Sequence, residues 1–464
     1  MMKNWTFPLV AAVVFFALLA YVMWGGSAPS PEEVEAPQED IVIVALDTED
    51  VRAVTIRWED TPDLAISAVD GEEERTYQLT SPFERATDQE RARLLFTSVA
   101  QIKASRIIAE GDDDLSEYGL DDPSGAIIVT LADGSEVTLN IGDSSPLSRQ
   151  DEPDRYVKVA GENTVYLMTG LRLAFFMAPP DKWRDPVIMR LDSDEVQMIE
   201  IRSGTSQWSV ARSEDPYGWQ LISPITAPAR SRVAEDTLWK MGSIRAERYE
   251  SDHPTPDQLR EYGLDAPSMR IAFTKDTGES HAMLVGLFAD EQGGQLYVKM
   301  EGQPYVYVVN SASLGLSGLM SSSDWLATAV FAPASFRQVV SLKWETEEAS
   351  HRLVRGDDHW LMELPSGDQV EVPNEEAEPA VRSALAIEAS NAKDSDRPLS
   401  EYGPTQARLE VNFRPSEDVD VQTLGLDIVV TPEQTSYGQV DGYESLFVFD
   451  LDLIQILHQL SQLD

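Results

Sequence analysis

The chain has 464 residues, with 36 Lys and Arg against 80 Asp and Glu, a formal net charge of −44. That length exceeds the roughly 100 to 200 residues of one domain, so several folded units are expected, and a hydrophobic share of 42% fits a globular chain better than a disordered or polytopic one. The acidic excess repels phosphate backbones and so argues against nucleic acid as a partner, and the lack of any Cys excludes disulfides, thiolate zinc sites, Cys nucleophiles and a lipidated Cys.

Residues 1–4 form a short tail carrying Lys3, followed by an uncharged stretch from Trp5 to Trp24. About twenty apolar residues at ~1.5 Å per helical residue match a hydrocarbon core of roughly 30 Å, so the stretch reads as one transmembrane helix. Trp5 at one end and Tyr21 and Trp24 at the other suit interfacial anchoring. Lys3 before the span and Glu32, Glu33, Glu35, Glu39 and Asp40 after it put the N-terminus in the cytoplasm and the bulk outside. A cleaved signal peptide is the competing reading, but its apolar region is ordinarily shorter and Pro29 is unfavourable beside the small residues Gly26 to Ala28. Residues 25–40, rich in Pro, Ser, Ala and Glu, read as an extended acidic spacer.

From residue 41 onward the chain repeats itself. The segments Leu115 to Gly119, Leu259 to Gly263 and Leu399 to Gly403 share a Leu-x-Glu-Tyr-Gly pattern, which divides the chain into copies at 41–180, 181–322 and 323–464. Each copy opens with an alternating strand (Val54, Ile56 and Trp58; Ile199 and Ile201; Val340, Leu342 and Trp344). A strand exit at Pro82, Pro224 or Pro365 follows, and then an amphipathic helix, with Asp88, Ser231 and Asn374 at the expected N-caps.

Hairpins turning at Gly134 and Gly161 in the first copy, Gly278 and Gly302 in the second, and Gly442 in the third complete the pattern. Connectors reach Trp183 and Trp325, and the stretch Leu451 to Leu460 reads as a final amphipathic helix, with capping of copy three the preferred role and partner binding the alternative. The expected architecture is therefore α+β: a transmembrane helix followed by three tandem, diverged α+β repeats, each with antiparallel hairpins and one main helix.

The signature residues are Tyr118, Gly119, Leu120 and Asp121, then Tyr262, Gly263, Leu264 and Asp265, then Tyr402 and Gly403. Glycine at the end of a short helical turn adopts the left-handed conformation without steric penalty, and Pro123 and Pro267 stop the helix from resuming. A structural helix stop is the preferred reading, with a recurring binding surface as the alternative.

Recognisable catalytic motifs are absent from the sequence. The histidines show no HExxH pattern, and the chain lacks GxSxG, Walker and GxGxxG motifs. An EF-hand counted from Asp112 would need Gly at Glu117 and Glu at Pro123. No catalytic, cofactor or metal residues are therefore assigned.

The signature Tyr118 to Asp121 and Tyr262 to Asp265, the Ile141-Gly142 pair and the hairpin Tyr156 to Tyr166 resemble the bacterial family called domain of unknown function 4340. That resemblance implies a membrane-anchored protein associated with gliding-motility-type ABC transport systems, with a permease or auxiliary subunit as partner. The expected function is a non-enzymatic extracytoplasmic accessory or scaffold in the bacterial inner membrane. A polymer- or peptide-binding module is the alternative, and a two-carboxylate hydrolase a remoter one.

Overall fold

A computed structural model describes residues 40–71, 74–111, 114–146, 148, 151–393, 397–450 and 453–460. The tail 1–4, the expected span Trp5 to Trp24 and the spacer up to residue 39 lie outside the described residues, among which no helix is long and apolar enough to cross a membrane. The chain forms two compact units, Met1–Asp185 and Pro186–Asp464.

The expected α+β class is corrected by the architecture. Strands dominate, forming three nine-stranded antiparallel sheets and one two-stranded ribbon, the first sheet in the first unit and the other two in the second. Hydrophobic alternation marks strands but not their partners, and the decisive pairings are ones it leaves unseen. The opening strand of each copy (Val51–Trp58, Val196–Ser203, Val339–Thr346) pairs with the strand after the signature (Gly125–Leu131, Met269–Lys275, Ala407–Phe413). What reads as separate hairpins is thereby fused into one sheet.

Each sheet follows one path. The chain winds outward from the central strand to a short edge strand, Arg85–Ala86 in the first copy and Ala227–Pro228 in the second, and Gln369–Val372 in the third. A helix crosses one face (Gln89–Ala100, Ser231–Ser243, Asn374–Leu385), its apolar side buried through Ala92, Phe96 and Val99 and their counterparts Ala234, Leu238 and Met241, then Ala377, Val381 and Ala384. The chain then forms the opposite edge strand, returns to the centre through the signature, and winds outward again. The strand tryptophans Trp208, Trp219, Trp344 and Trp360 lie inside the cores, and Trp58 is half-buried.

Asp88 caps its helix, its Oδ1 accepting from the Arg91 amide at 3.1 Å. The other two expected caps shift by one residue. Arg230 and Pro373 occupy those positions, because the Ser231 hydroxyl donates to the Tyr217 carbonyl and Asn374 Nδ2 to the Asp358 carbonyl.

The connectors are structural members in their own right. In the first unit the Asp88 amide donates to Trp183 O, and in the second the Arg230 amide donates to Trp325 O, so each connector adds a short extra strand beside the residues that enter the helix. An incoming strand also runs antiparallel to the residues just after each helix. Ile41–Ala45 pairs with Gln101–Ala104, Val187 stands opposite Arg245, and Ala329 stands opposite Glu388.

Candidate functional site

Within the second unit one connector serves two sheets. Residues 325–327 bond to the Pro228–Arg230 segment of the second copy, and residues 328–330 bond to Ile387 and Ala389 of the third. Two tyrosines fasten the same junction. The Tyr217 hydroxyl donates to the Val330 carbonyl, and the Tyr443 hydroxyl, from the third copy, donates to the Asp215 carboxylate of the second. Asp215 is held in place by the amides of Tyr217 at 2.9 Å and Gly218 at 3.2 Å, so the loop before strand Trp219–Ser223 is rigid where the two copies meet. Burial raises the pKa of both tyrosines, and the Asp215 charge raises them further.

Beside this junction lies a cleft of about 770 Å³. Its walls are mainly Pro216, Tyr217, Ala229, Val233, Ala329 and Pro333, and Arg230, Arg232, Thr328 and Glu388 supply its polar groups. Arg230 Nη2 donates to Thr328 Oγ1 at 3.0 Å, and that hydroxyl donates to Glu388 Oε1 at 2.8 Å, a relay that spans the connector. A mostly apolar hollow with a few convergent polar groups is the usual form of a ligand or peptide site. Glu388 is the one carboxylate in the lining, and no group of three or more His, Asp or Glu that could hold a metal occurs among the described residues.

The signature residues lie outside the cleft lining. Gly119 and Gly263 have φ of 63° and 68°, as a left-handed helix stop requires. The amides of Leu120 and Leu264 reach back to the carbonyls of Leu115 and Leu259 at 3.1 and 2.8 Å, and those of Gly119 and Gly263 to Ser116 and Arg260 at 3.2 and 3.1 Å, the paired bonds of a Schellman motif. Gly403 departs from this, with a φ of 154°.

The turn is pressed onto its own sheet. A side chain at Gly142 would overlap the Tyr118 carbonyl oxygen and one at Gly286 that of Tyr262, which explains why an Ile-Gly or Val-Gly pair accompanies the signature. Each signature tyrosine packs against a second one from the closing hairpin: Tyr118 on Tyr156 at 5.1 Å, Tyr262 on Tyr297 at 4.4 Å and Tyr402 on Tyr437 at 4.8 Å. Asp121 and Asp265 are exposed, whereas Leu120 and Leu264 are buried behind the turn. No signature residue lines the cleft, and the cleft residues carry no sequence motif beyond the basic Arg230-Ser-Arg232.

Residues 77–218 and 219–407 each match the family described as Domain of unknown function (DUF4340), together well over half of the chain. The chain belongs to this family. The two DUF4340 matches begin at Tyr77 and Trp219, on corresponding strands Arg75–Ser81 and Trp219–Ser223, so the family unit recurs with the period of the sheets but starts partway through each one. No curated protein matches this DUF4340 chain.

Proposed function

We propose that this DUF4340 protein is a non-enzymatic accessory of an ABC-type transporter, anchored in the bacterial inner membrane by Trp5 to Trp24 and holding its sheets outside as a scaffold. The observation that carries the reading is the shared connector of the second unit with its Tyr217 and Tyr443 fastenings, which fixes two sheets as one presenting body instead of leaving them hinged. The single carboxylate of the cleft also favours a non-enzymatic role, since glycoside cleavage by the usual route needs two. Membrane anchoring and the transporter partner rest on the sequence and on the family resemblance. Co-purification from gently solubilised membranes tests the proposal. A permease or auxiliary subunit recovered with the full chain is the expected result, and repeated recovery of a free monomer even after crosslinking would overturn it.

A second reading, binding of an extracytoplasmic polymer or peptide, is favoured by the apolar cleft of about 770 Å³. Titration with candidate polymers separates the two, because a scaffold retains its partner when Ala329→Trp fills the cleft and a binding module loses its ligand.

A further inference from the structure

The three tyrosine pairs lie on the sheet faces opposite the main helices, and two of them differ at one position in a telling way. In the third copy the Lys393 ammonium sits 4.8 Å from the Tyr402 ring and 4.4 Å from the Tyr437 ring, a cation held against two aromatic faces. Lys393 stands opposite Leu446 on the edge strand. In the second copy Ser251 stands opposite the corresponding Val306, and Glu250 is the extra residue in the register shift beside it. A carboxylate thus occupies the edge where the third copy supplies its own cation.

Around the pair of the second copy carboxylates outnumber cations. Burial and then Glu250 raise the pKa values of Tyr262 and Tyr297, Glu261 adds to both, and Arg248 opposes them at Tyr297. Glu250 shares Arg248 at 3.0 Å, while Glu261 has no cationic partner among the described residues, so one acid is left uncompensated. The Tyr262 ring is covered, and Tyr297 is half-buried and offers the open aromatic surface.

We propose that Tyr297, with Tyr262 behind it and Glu250 and Glu261 at its edge, is a docking point for a lysine side chain of a basic protein partner. The third copy shows the occupied form of the same arrangement, with the lysine supplied in cis. A net charge of −44 draws such a partner in, and the tyrosine pair gives that attraction a fixed address. The inference stands apart from the transporter reading, since it names the chemistry of the contact and not the assembly.

The test is calorimetric titration of the solubilised full chain with a tetralysine peptide. Saturable binding is expected, weakened about tenfold or more by Glu250→Lys, which copies the third copy, and by Tyr297→Leu, which leaves the charge unchanged. Glu348→Lys, an exposed site in another copy with the same charge change, should leave binding nearly intact. Equal loss in both lysine variants would reduce the effect to the general acidic field and overturn the proposal, as would unchanged binding in Tyr297→Leu. If Glu250→Lys fails to fold, the Tyr297→Leu result decides.

Discussion

At the scale of single residues, the glycines of the sheet matter as much as those of the turns. Gly286 carries no unusual dihedral, yet a side chain there would overlap the Tyr262 carbonyl, which also accepts the Leu287 amide at 2.8 Å. Gly286→Ala should therefore cost about 1–3 kcal/mol through forced backbone movement, read as a lower urea midpoint with an unchanged slope. Arg408 is a second sensitive point. Its guanidinium reaches Glu410 at 2.8 Å, Asp427 at 3.0 Å and Asp441 at 2.6 Å, and these acids hold its pKa above the usual arginine range. Arg408→Met strands three carboxylates together, so the variant should lose about 1–3 kcal/mol at low salt and less at high salt, which screens their repulsion. Thermal melts at low and high salt distinguish this from a simple packing defect, which salt would not relieve.

Among elements, the C-terminal helix Leu453–Leu460 behaves as core. Leu453, Leu457 and Leu460 are buried, and the helix packs against Asn374–Leu385. Leu457→Ala should cost about 2–5 kcal/mol, as deletion of a buried leucine does, with the loss read from chemical unfolding of the full chain.

The sequence makes these local elements legible because each announces itself: Gly134, Gly161, Gly278, Gly302 and Gly442 all take the positive φ expected of tight turns, and the helices keep one apolar face. It does not announce which strands become neighbours. The pairing of Val51–Trp58 with Gly125–Leu131 joins segments far apart in the chain, and no side-chain pattern encodes that partner. The cleft is hidden for a similar reason, since its walls come from residues 216–233, 327–333 and 388 and are largely Ala, Pro and Val.

For the whole molecule, the tyrosine fastenings of the second unit tie stability to alkaline pH. Tyr217 and Tyr443 have pKa values raised above the ordinary value of about 10, so the folded state retains protons that the unfolded chain releases. Their contribution is complete below about pH 10 and falls as pH rises beyond it. Tyr443→Phe should lower the melting temperature at neutral pH and flatten its decline between about pH 10 and 11.5. A decline as steep as in the parent chain would show that other groups set the alkaline limit.

The three copies are also unequal as links in a series. The amides of Asp88 and Arg230 are the donors by which the first two copies grip the connector that follows them, and at the matching position the third copy has Pro373, which has no N–H to give. The third copy thus lacks the backbone donor with which each of the first two holds the segment after it. A segment laid beside the entrance of the third main helix would have to find its hydrogen-bond donors elsewhere than at residue 373.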